Sequence, residues 1–558
     1  MGDRPKKRDS FPINKSNFRL AYPDLDWSTG EELDHLTTGK GFASGVIELG
    51  NGLQVRQISN FERIWHTEKG GPGDCGVSFF QPHVTPNGFR MLGCYCQPNS
   101  RPLHGWVLAG KDLSGEILTE PLDYCLILSI KNGSQLGCIW EPIAQPGFKP
   151  VGYVVTGSPK KPPLDKIVCV RTDFTEKCEL DEWLCGSNVS SLGYCYSEYG
   201  KWDIFGLKPK LRGNGSKGVS VGSFAILIPG EDGDSIALSC LSNLSDSYSL
   251  PNATQIDLLM RSYAPVVHFH PDEAYHPSSI DWYLRQCSLI SIEEGTRTEG
   301  AASNLPNHEG GRDCLWLECP EKESETKRGS LEETEVYVQL KAMLGGTFTD
   351  LVIWLFYPFN GPGRVTVLGK EIQFARTGQH TGDWEHMTLR ISNFSGELWS
   401  VYFSQHSAGV WVRASEIEYE EGTNRVVAYS SLNGHAMFPR AGRYIQGYSK
   451  LGAVNHCAKS EHFVDCATKY RLVSAGHLVG HCEPEWVGYW GRWGPKVEYT
   501  MGRWVRKVEN ALPWKLGRFF RKLIFLPNEM LGEDAPRGPR TKDCWHGDER
   551  VRRPRPAR

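Results

Sequence analysis

The feature that most constrains the fold of this chain is an internal repeat of about 60 residues between positions 60 and 240. Segment 80–93 matches segment 140–152, and each has an aromatic residue, a proline-bounded turn, a Gly-aromatic step and a strand-like run that ends on glycine. A weaker third copy covers 201–227. A unit of this size cannot bury its apolar face alone, so the copies must pack against one another. The repeat therefore predicts a pseudo-threefold β-prism-like domain over residues 60–250.

A second domain is predicted over residues 262–498. The clearest alternation of apolar and polar residues in the chain places Met387, Leu389 and Ile391 on one face of a strand, and it recurs after the turn at 393–396. Two such runs joined by a turn predict an antiparallel hairpin, which is typical of a β-sandwich. The high content of glycine (60) and proline (34) agrees with a mainly β fold.

Four further segments complete the predicted organisation. Residues 1–59 are expected to form an N-terminal arm, and residues 291–334, rich in Glu, Gly, Ser and Lys, a mobile insertion in the second domain. Residues 499–530 predict basic amphipathic helices, because apolar residues recur there at three- or four-residue steps between Lys and Arg. Residues 531–558 are rich in Arg and Pro and are expected to be a disordered tail.

Charge, hydropathy and cysteine spacing limit the functional classes. The net charge of −3 is unlike that of a protein whose whole surface binds nucleic acid. The longest apolar run, 351–359, is far shorter than the ~18–20 residues that cross a bilayer, and the first eight residues lack the apolar core of a secretory signal. The 17 cysteines include no CxxC pair, so nearly all are expected to be reduced core residues. These features predict a cytoplasmic protein that is peripheral to endomembranes.

The segment 378–386 contains the residues with the clearest chemistry. Asp383 and Glu385 lie two positions apart at the entry to a predicted strand, so their carboxylates project to one face, roughly 6–7 Å apart along the chain. With His380 in the preceding loop, they form a donor set that suits a hard divalent cation, Ca²⁺ or Mg²⁺. Trp384 points to the opposite face and is expected to be core. The structural alternative is a strand end whose carboxylates accept hydrogen bonds from loop amides.

Three other histidines are expected to support this donor set. His386 ends the motif, and two segments on nearby hairpins, 404–407 and 433–435, contribute His406 and His435. Their side chains are predicted to surround the ligands rather than to bind the ion.

The segment 380–386, His-Thr-Gly-Asp-Trp-Glu-His, resembles the His-Arg-His-Asp-Trp-Glu-His motif of the necrosis- and ethylene-inducing peptide family of secreted microbial cytolysins. The likeness continues at 353–362 and 402–407. It implies a divalent metal that takes part in binding sphingolipid headgroups, with ligands at four positions: Asp383, Asn360, Glu385 and His380. Asn360 is neutral where the family has a carboxylate, and Gly382 replaces the second histidine, so a weaker cation affinity is expected.

Over nearly its full length the chain most closely resembles the plant vacuolar protein sorting-associated protein 62-like family. The matching segments keep one order along the chain: 70–73, 79–82, 101–108, 140–142, 266–273, 345–350, 382–386, 434–439 and 493–499. The resemblance implies a sorting role and attaches no enzymatic activity.

These observations predict a non-enzymatic protein of vacuolar sorting and membrane trafficking. It is expected to bind a membrane lipid, through an anionic or sphingolipid headgroup, or a trafficking protein, and no nucleic acid. Two alternatives use Asp383 and Glu385: a metal-dependent hydrolase, and a lipid-headgroup-binding defence or cytolysin-like protein. The paired carboxylates also suit acid/base work on a glycoside. Against hydrolysis, the sequence has no HExxH motif and no Walker loop.

Overall fold

In the computed structural model of the protein, the described residues are 41–84, 88–133, 135–187, 201–228, 236–291, 295–299, 305–306, 314–319, 323–367, 369–373, 378–406, 408–448, 451–495 and 535–551. They form two compact units. The first contains the described residues up to Asn252 together with 342–349 and 392–397, and the second contains the others. Both are built mainly from antiparallel sheets, so the predicted mainly β fold class is confirmed. The prism and sandwich arrangements stay predictions.

The strands of the first unit are mostly short. Their bounds are, in chain order, β1 (Ile47–Glu48), β2 (Leu53–Ile58), β3 (Phe61–His66), β4 (Val77–Pro82), β5 (Arg90–Met91), β6 (Tyr95–Pro98), β7 (Val107–Asp112), β8 (Leu118–Thr119), β9 (Asp123–Asn132), β10 (Gln135–Ile143), β11 (Phe148–Lys149), β12 (Val154–Thr156), β13 (Cys169–Arg171), β14 (Thr175–Gly186), β15 (Asp203–Pro209), β16 (Gly218–Val219), β17 (Phe224–Leu227) and β18 (Ser239–Ser242). The sheet orders are β1-β2-β7-β5, β3-β4-β6, β12-β10-β9, β11-β13-β8 and β16-β18-β14-β15-β17.

The sequence repeat is reproduced in the order of these strands. Each copy has a hairpin with a third strand beside its second member, as in β3-β4-β6, β9-β10-β12 and β14-β15-β17. The short strand before each third strand pairs with a later one: β5 with β7, β11 with β13 and β16 with β18. The repeat therefore encodes one supersecondary unit three times.

The glycine that ends each of the first two copies has a packing role. A Cβ atom on Gly93 would lie 3.0 Å from the Cα atom of Gly152 and 2.9 Å from the Oγ atom of Ser223 in the third copy. The backbones of the first two copies therefore approach too closely for any larger residue at this position.

Residues 47–58, which the sequence assigns to an N-terminal arm, belong to a sheet instead. β1 pairs with β2, and β2 pairs with β7 over six residues. The apolar side chains of these two strands are buried in the core of the first unit. The repeat begins only at about residue 60, so it gives no sign that this hairpin pairs with β7. The rest of the predicted arm, residues 1–40, lies outside the described residues.

The second unit contains three helices and longer strands in its described part. The helices are α1 (Ala253–Tyr263), α2 (Ile280–Gln286) and α3 (Glu323–Arg328). The strands are β19 (Val266–His268), β20 (Ser288–Ser291), β21 (Thr296–Glu299), β22 (Leu315–Glu318), β23 (Val336–Met343), β24 (Phe348–Asn360), β25 (Arg364–Val367), β26 (Lys370–Gln373), β27 (His380–Ser392), β28 (Leu398–Gln405), β29 (Ala408–Arg413), β30 (Val427–Ser430), β31 (Met437–Phe438), β32 (Gly442–Tyr448), β33 (Leu451–Cys457), β34 (Phe463–Asp465) and β35 (Tyr470–Ser474).

A six-stranded sheet with the order β29-β28-β27-β24-β23-β35 carries the candidate site. Smaller sheets have the orders β31-β30-β19-β34, β21-β20-β22 and β26-β25-β33-β32. The predicted antiparallel hairpin is confirmed as β27 and β28, because Met387 pairs with Phe403 and Leu389 with Val401. The register shifts before Ile391, which pairs with Leu398, so Trp399 is an extra residue in a β-bulge.

Large aromatic side chains fill the core beneath this sheet. Trp384 is fully buried, and its ring lies 5.5 Å from the ring of Trp486 and 5.2 Å from that of Trp493. The prediction that Trp384 is a core residue is confirmed. Burial of such rings is a major source of stability, at roughly 25 cal/mol per Å² of apolar surface.

The predicted insertion, 291–334, has regular structure where it is described. β20 pairs with both β21 and β22, and a disulfide joins Cys287 to Cys319. This pair is an exception to the predicted reduced state of the cysteines. The mobility of the insertion stays a prediction.

The prediction of a disordered tail from residue 531 is wrong for residues 535–551, which we call the C-terminal strap. Trp545 and Glu549 are both buried, and two 3-10 turns cover Pro539–Thr541 and Asp543–Trp545. The Arg/Pro composition gave no sign of this order, because it depends on partners more than 150 positions away. The predicted helices over 499–530 lie outside the described residues. None of the helices in the described part of the chain is long and apolar enough to span a bilayer.

Candidate functional site

The predicted site lies at the start of β27. Gly382, with a φ of 72°, sits just before the two carboxylates, and a Cβ atom there would lie 2.8 Å from that of Trp493. This close approach accounts for a glycine at the position where the cytolysin motif has a histidine. From Gly382 onward, successive side chains of β27 point to opposite faces of the sheet. Asp383 and Glu385 therefore share one face, while Trp384 and His386 share the other.

Asp383 is paired with a histidine. The Nδ1 atom of His435 lies 3.1 Å from the Oδ2 atom of Asp383, and the His435 side chain is wholly buried. The His435 ring stacks on Tyr357, with the ring centroids 3.9 Å apart and the planes 7° from parallel. His435 belongs to a tight turn after β30 in which Asn433 and His435 have positive φ angles.

A third carboxylate, Glu273, faces the same histidine. Its Oε1 atom lies 4.0 Å from the Nε2 atom of His435, and its two oxygens accept hydrogen bonds from the backbone amides of Ala274, Tyr275 and Asn433. Glu273 therefore joins the loop after β19 to the turn that holds His435.

Burial, hydrogen bonds and nearby charges shift the pKa values of the residues in this group. Burial lowers the pKa of His435, but the hydrogen bond with Asp383 and the charges of the nearby carboxylates outweigh it, so the net shift is upward. Burial would raise the pKa of Asp383, but the hydrogen bond with His435 and the nearby histidines lower it below its usual range. Both shifts favour the charged forms of Asp383 and His435, which lie within hydrogen-bond distance of each other.

Glu385 lies in a different environment from Asp383. The hydroxyl of Ser404 on β28 donates a hydrogen bond to its carboxylate. Burial and the neighbouring charge of Asp383 raise the pKa of Glu385 to about 7. Of two carboxylates on one strand face, one is thus ionised at neutral pH and the other is close to half protonated.

The remaining predicted residues have partners of their own. His380 Nδ1 donates to the carbonyl of Gly382 over 2.7 Å, and burial lowers its pKa. The side-chain amide of Asn360 donates to the carbonyls of Gly361 and Gly378. His406 Nε2 lies 3.3 Å from the side-chain oxygen of Asn455.

His386 lies on the opposite face of β27 and does not join the predicted site. Its Nε2 atom lies 3.0 Å from the Oε2 atom of Glu549 in the C-terminal strap. The other Glu549 oxygen accepts a hydrogen bond of 2.6 Å from Thr388 and lies 3.5 Å from the ammonium of Lys341. Burial lowers the pKa of His386, but the interactions with Glu549 and Cys544 raise it to about 9.

The donor set fits a Ca²⁺ or Mg²⁺ ion poorly. A cation needs several oxygen ligands that converge and are free to bind it. Among the described residues, the group of His, Cys, Asp and Glu whose donor atoms all lie within 4.8 Å of one another is His386, Cys544 and Glu549, and it contains none of the predicted ligands. Asp383 is already neutralised by His435, and Glu385 is hydrogen-bonded to Ser404.

Sequence reasoning missed several members of this group. Ser404 and Tyr357 lie in segments 402–407 and 353–362, which the sequence connects to the motif without a role for either residue. Glu273 comes from a segment that the sequence does not connect to the motif, and Glu549 falls in the segment predicted to be disordered. A signal for Glu273 exists in hindsight, since it ends a segment, 266–273, that matches the sorting family.

Comparison with known protein families identifies the family to which the chain belongs. A profile described as vacuolar protein sorting-associated protein 62 matches residues 24–549. The chain belongs to this family. Membership indicates a role related to vacuolar protein sorting.

One curated relative of the chain is the putative vacuolar protein sorting-associated protein TDA6 of Saccharomyces cerevisiae. It is 26% identical over 205 residues, which cover 31% of this chain and 41% of the yeast protein. The chain thus spans less than half of the length of this relative.

Three solved structures are also similar to part of the chain. GNIP1Aa from Chromobacterium piscinae is 18% identical, with a TM-score of 0.27 and coverage of 34% of this chain and 37% of its own. Necrosis and ethylene inducing protein 2 from the causal agent of cocoa's witches' broom disease is 15% identical, with a TM-score of 0.17 and coverage of 33% and 67%. The non-toxic HaNLP3 protein is 12% identical, with a TM-score of 0.21 and coverage of 40% and 77%.

Proposed function

We propose that the protein acts without catalysis in vacuolar sorting, as a cytoplasmic protein at the surface of endomembranes that binds an anionic membrane lipid. The observation that carries the non-enzymatic part is the internal pairing of the candidate carboxylates. Asp383 is bonded to His435, Glu385 to Ser404, and Glu273 to three backbone amides.

Such pairing favours a structural role for the three carboxylates and His435. Asp383, Glu385 and Glu273 are buried residues, although 12% of the Asp383 side chain is exposed, and the His435 side chain is wholly buried. An enzyme of the hydrolase class needs a carboxylate that can reach a substrate or a water molecule. Here the bonds connect β27, the turn before β31 and the loop after β19, so their effect is to fix three elements of the second unit.

The lipid contact is assigned to the basic segment 499–530. It carries Lys and Arg beside apolar residues at helical spacing. Each basic residue near an anionic surface contributes about 1 kcal/mol, so a cluster of six gives weak, salt-sensitive binding. A trafficking protein with an acidic surface is the competing partner.

The test is co-sedimentation of the full-length protein with liposomes that contain or lack an anionic lipid, at low salt. The wild type is expected to sediment only with the liposomes that contain the anionic lipid. The triple change of Arg518, Arg521 and Lys522 to Glu is expected to abolish this sedimentation. The matched control changes three exposed lysines of the first unit to Glu: Lys131, Lys149 and Lys160. Equal loss in the control, or no sedimentation of the wild type, would refute the proposal.

A glycoside hydrolase is the second candidate, and one observation favours it. The pKa of Asp383 is lowered while that of Glu385 is raised to about 7, which is the divergence found in general acid and base pairs. A Gly-x-Ser-x-Gly match at 218–222 adds no nucleophile, because it joins two strands and Ser220 donates to the carbonyl of Leu207. Release of a chromogenic phenol from aryl glycosides by the wild type, and its loss in Glu385→Gln, would support this candidate.

A further inference from the structure

Two cysteines of the first unit lie close enough to form a bond with each other. The sulfur atoms of Cys178 and Cys240 are 2.8 Å apart, although the residues are 62 positions apart in the chain. A disulfide bond is about 2.05 Å long, so less than about 1 Å separates this contact from a covalent bond. Both residues are free thiols in the structure, with Cys178 partly exposed and Cys240 buried.

The pairing of β14 with β18 places these two side chains on one face of a sheet. Glu176 of β14 lies directly opposite Cys240 of β18. Side chains two positions apart on a strand share a face, so Cys178 points to the same face as Glu176 and Cys240. Cys178 and Cys240 are therefore diagonal neighbours, and the side chains of such neighbours can contact each other.

The backbone around Cys178 has few hydrogen bonds that oppose a small shift. The ladder between β14 and β18 ends at the pair Lys177 and Ser239. On the other edge of β14, Cys178 lies opposite Pro209, which has no amide proton to donate. The sulfur atom of Cys178 can therefore close the remaining distance without breaking a ladder hydrogen bond between Cys178 and β18.

We propose that Cys178 and Cys240 form a reversible disulfide, which stabilises the third repeat copy, when the protein meets a low-molecular-weight disulfide such as oxidised glutathione. The Cys178 thiolate attacks one glutathione sulfur, the S–S bond of the oxidant breaks, and one glutathione leaves as a thiolate. The sulfur of Cys240 then loses its proton, attacks Cys178 and displaces the second glutathione. Two cysteine thiols are oxidised, and one glutathione disulfide is reduced to two thiols that carry the two protons.

The surroundings of the two thiols set the order of these steps. Cys178 is the partly exposed member, whereas the hydrogen bond with Cys178 and burial raise the pKa of Cys240 and keep its thiol protonated at neutral pH. Cys178 therefore reacts with the oxidant first. Cys240 is already in contact with Cys178, so its attack is an intramolecular step that competes well with glutathione from solution. The internal disulfide is therefore the expected product.

The bond would close a loop that contains most of the third repeat copy. Strands β15, β16 and β17 lie between the two cysteines. A cross-link restricts the unfolded chain, so it favours the folded form of the sheet that these strands build. A reducing cytoplasm keeps such a pair as thiols. The stability of this sheet is therefore expected to follow the oxidation of the glutathione pool.

A soft metal ion is the competing occupant of two neighbouring thiols. Structural sites of such ions usually have four ligands. In the described part of the chain, no third donor atom of a His, Cys, Asp or Glu lies within 4.8 Å of both sulfur atoms. The pair therefore fits a disulfide better than a metal.

The test uses the full-length protein, equilibrated at pH 8 with an excess of oxidised glutathione or of dithiothreitol. The exchange is stopped with acid, remaining thiols are blocked with N-ethylmaleimide in denaturant, and the protein is digested without reduction. Mass spectrometry then quantifies the peptide that joins Cys178 to Cys240. This peptide is expected in most molecules after oxidised glutathione and in none after dithiothreitol. Glutathione on the exposed Cys75 and Cys125 shows that the oxidant acts.

Two variants test the effect of the bond on stability. The melting temperature of the wild type is expected to be higher with oxidised glutathione than with dithiothreitol, and Cys178→Ser is expected to lose the part of this shift that comes from the bond with Cys240. The Cys287–Cys319 disulfide contributes equally to both proteins. The matched control, Cys125→Ser, changes an exposed cysteine and should keep the whole wild-type shift.

Three results would overturn the proposal. One is the absence of the joined peptide in wild-type protein that carries glutathione at Cys75 and Cys125. Another is a Cys178 that retains glutathione while Cys240 is blocked by N-ethylmaleimide, which would mean that the second step fails. The third is a Cys178→Ser variant whose melting temperature shifts as much as that of the wild type.

Discussion

The Nε2 atom of His386 lies 3.0 Å from the Oε2 atom of Glu549, although the two residues are 163 positions apart. This pair attaches the C-terminal strap to the middle of the six-stranded sheet. Arg390 makes a second attachment, since it bonds Asp350 through two hydrogen bonds of 2.8 Å and Asp548 at 3.0 Å. The strap is therefore part of the second unit and not an appendage.

Loss of the Glu549 charge is expected to destabilise this unit strongly. Glu549→Gln leaves the ammonium of Lys341 buried without its carboxylate, and breaking a buried ion pair in this way costs about 3–5 kcal/mol. Denaturant unfolding at pH 7 measures the change. The matched control, His546→Ala, alters an exposed residue of the same strap and should change stability by less than about 0.5 kcal/mol.

Two truncations test the strap as a whole. A chain that ends at Val551 keeps every described residue of the strap and should melt like the wild type. A chain that ends at residue 534 loses Trp545 and Asp548, one of the two partners of Arg390, so its second unit should unfold at a lower temperature. Equal melting temperatures of the two chains would show that the strap adds no stability.

Glu385 is expected to make the protein less stable as the pH rises. Its folded-state pKa of about 7 lies above the ordinary value of about 4.3, so the folded state binds the proton more tightly. Stability is therefore lost between about pH 4.3 and 7, where the unfolded state releases this proton first.

Glu385→Gln removes this penalty and can still accept the hydrogen bond from Ser404. The variant should match the wild type near pH 4 and exceed its stability by about 3–4 kcal/mol at pH 8. Glu421→Gln changes an exposed glutamate and should follow the wild type at both values. A Glu385→Gln variant that is less stable than the wild type at pH 8 would contradict this account of the site.

Protease cleavage within the insertion is expected to leave the two fragments joined by a disulfide. Its composition predicts protease cleavage between 300 and 313, inside the loop that the Cys287–Cys319 disulfide closes. Cleaved protein should therefore run as one band on a denaturing gel without reductant and as two bands after reduction. Two bands without reductant would show that the disulfide does not form.

The local sequence pattern was sufficient to predict the features that depend on residues close together in the chain. The period of two predicted the shared face of Asp383 and Glu385 and the burial of Trp384, and the repeat predicted three related sheet units. The bulge at Trp399 was missed, because the alternation of apolar residues does not reveal one inserted residue.

Long-range pairs could not be predicted from local pattern. His435 meets Asp383 across 52 positions, and Glu273 bonds Asn433 across 160. No periodicity connects such residues, since the fold brings them together through strands that are not adjacent in sequence. The sequence therefore identified the carboxylates and placed His435 near them, but it did not predict that His435 bonds Asp383, and this bond changes the role we expect for Asp383 from metal ligand to structural partner.

We infer that Asp383 serves the structure and does not bind a cation. Thermal unfolding of the wild type and of Asp383→Asn, each with EDTA and with 10 mM Ca²⁺ or Mg²⁺, tests it most directly. We expect the wild-type melting temperature to ignore the cation, and Asp383→Asn to cost about 1–3 kcal/mol under every condition, because the His435 cation loses its partner. A millimolar site would instead stabilise the wild type by more than about 1 kcal/mol at ~10 mM cation and leave the variant unaffected, which would contradict the claim.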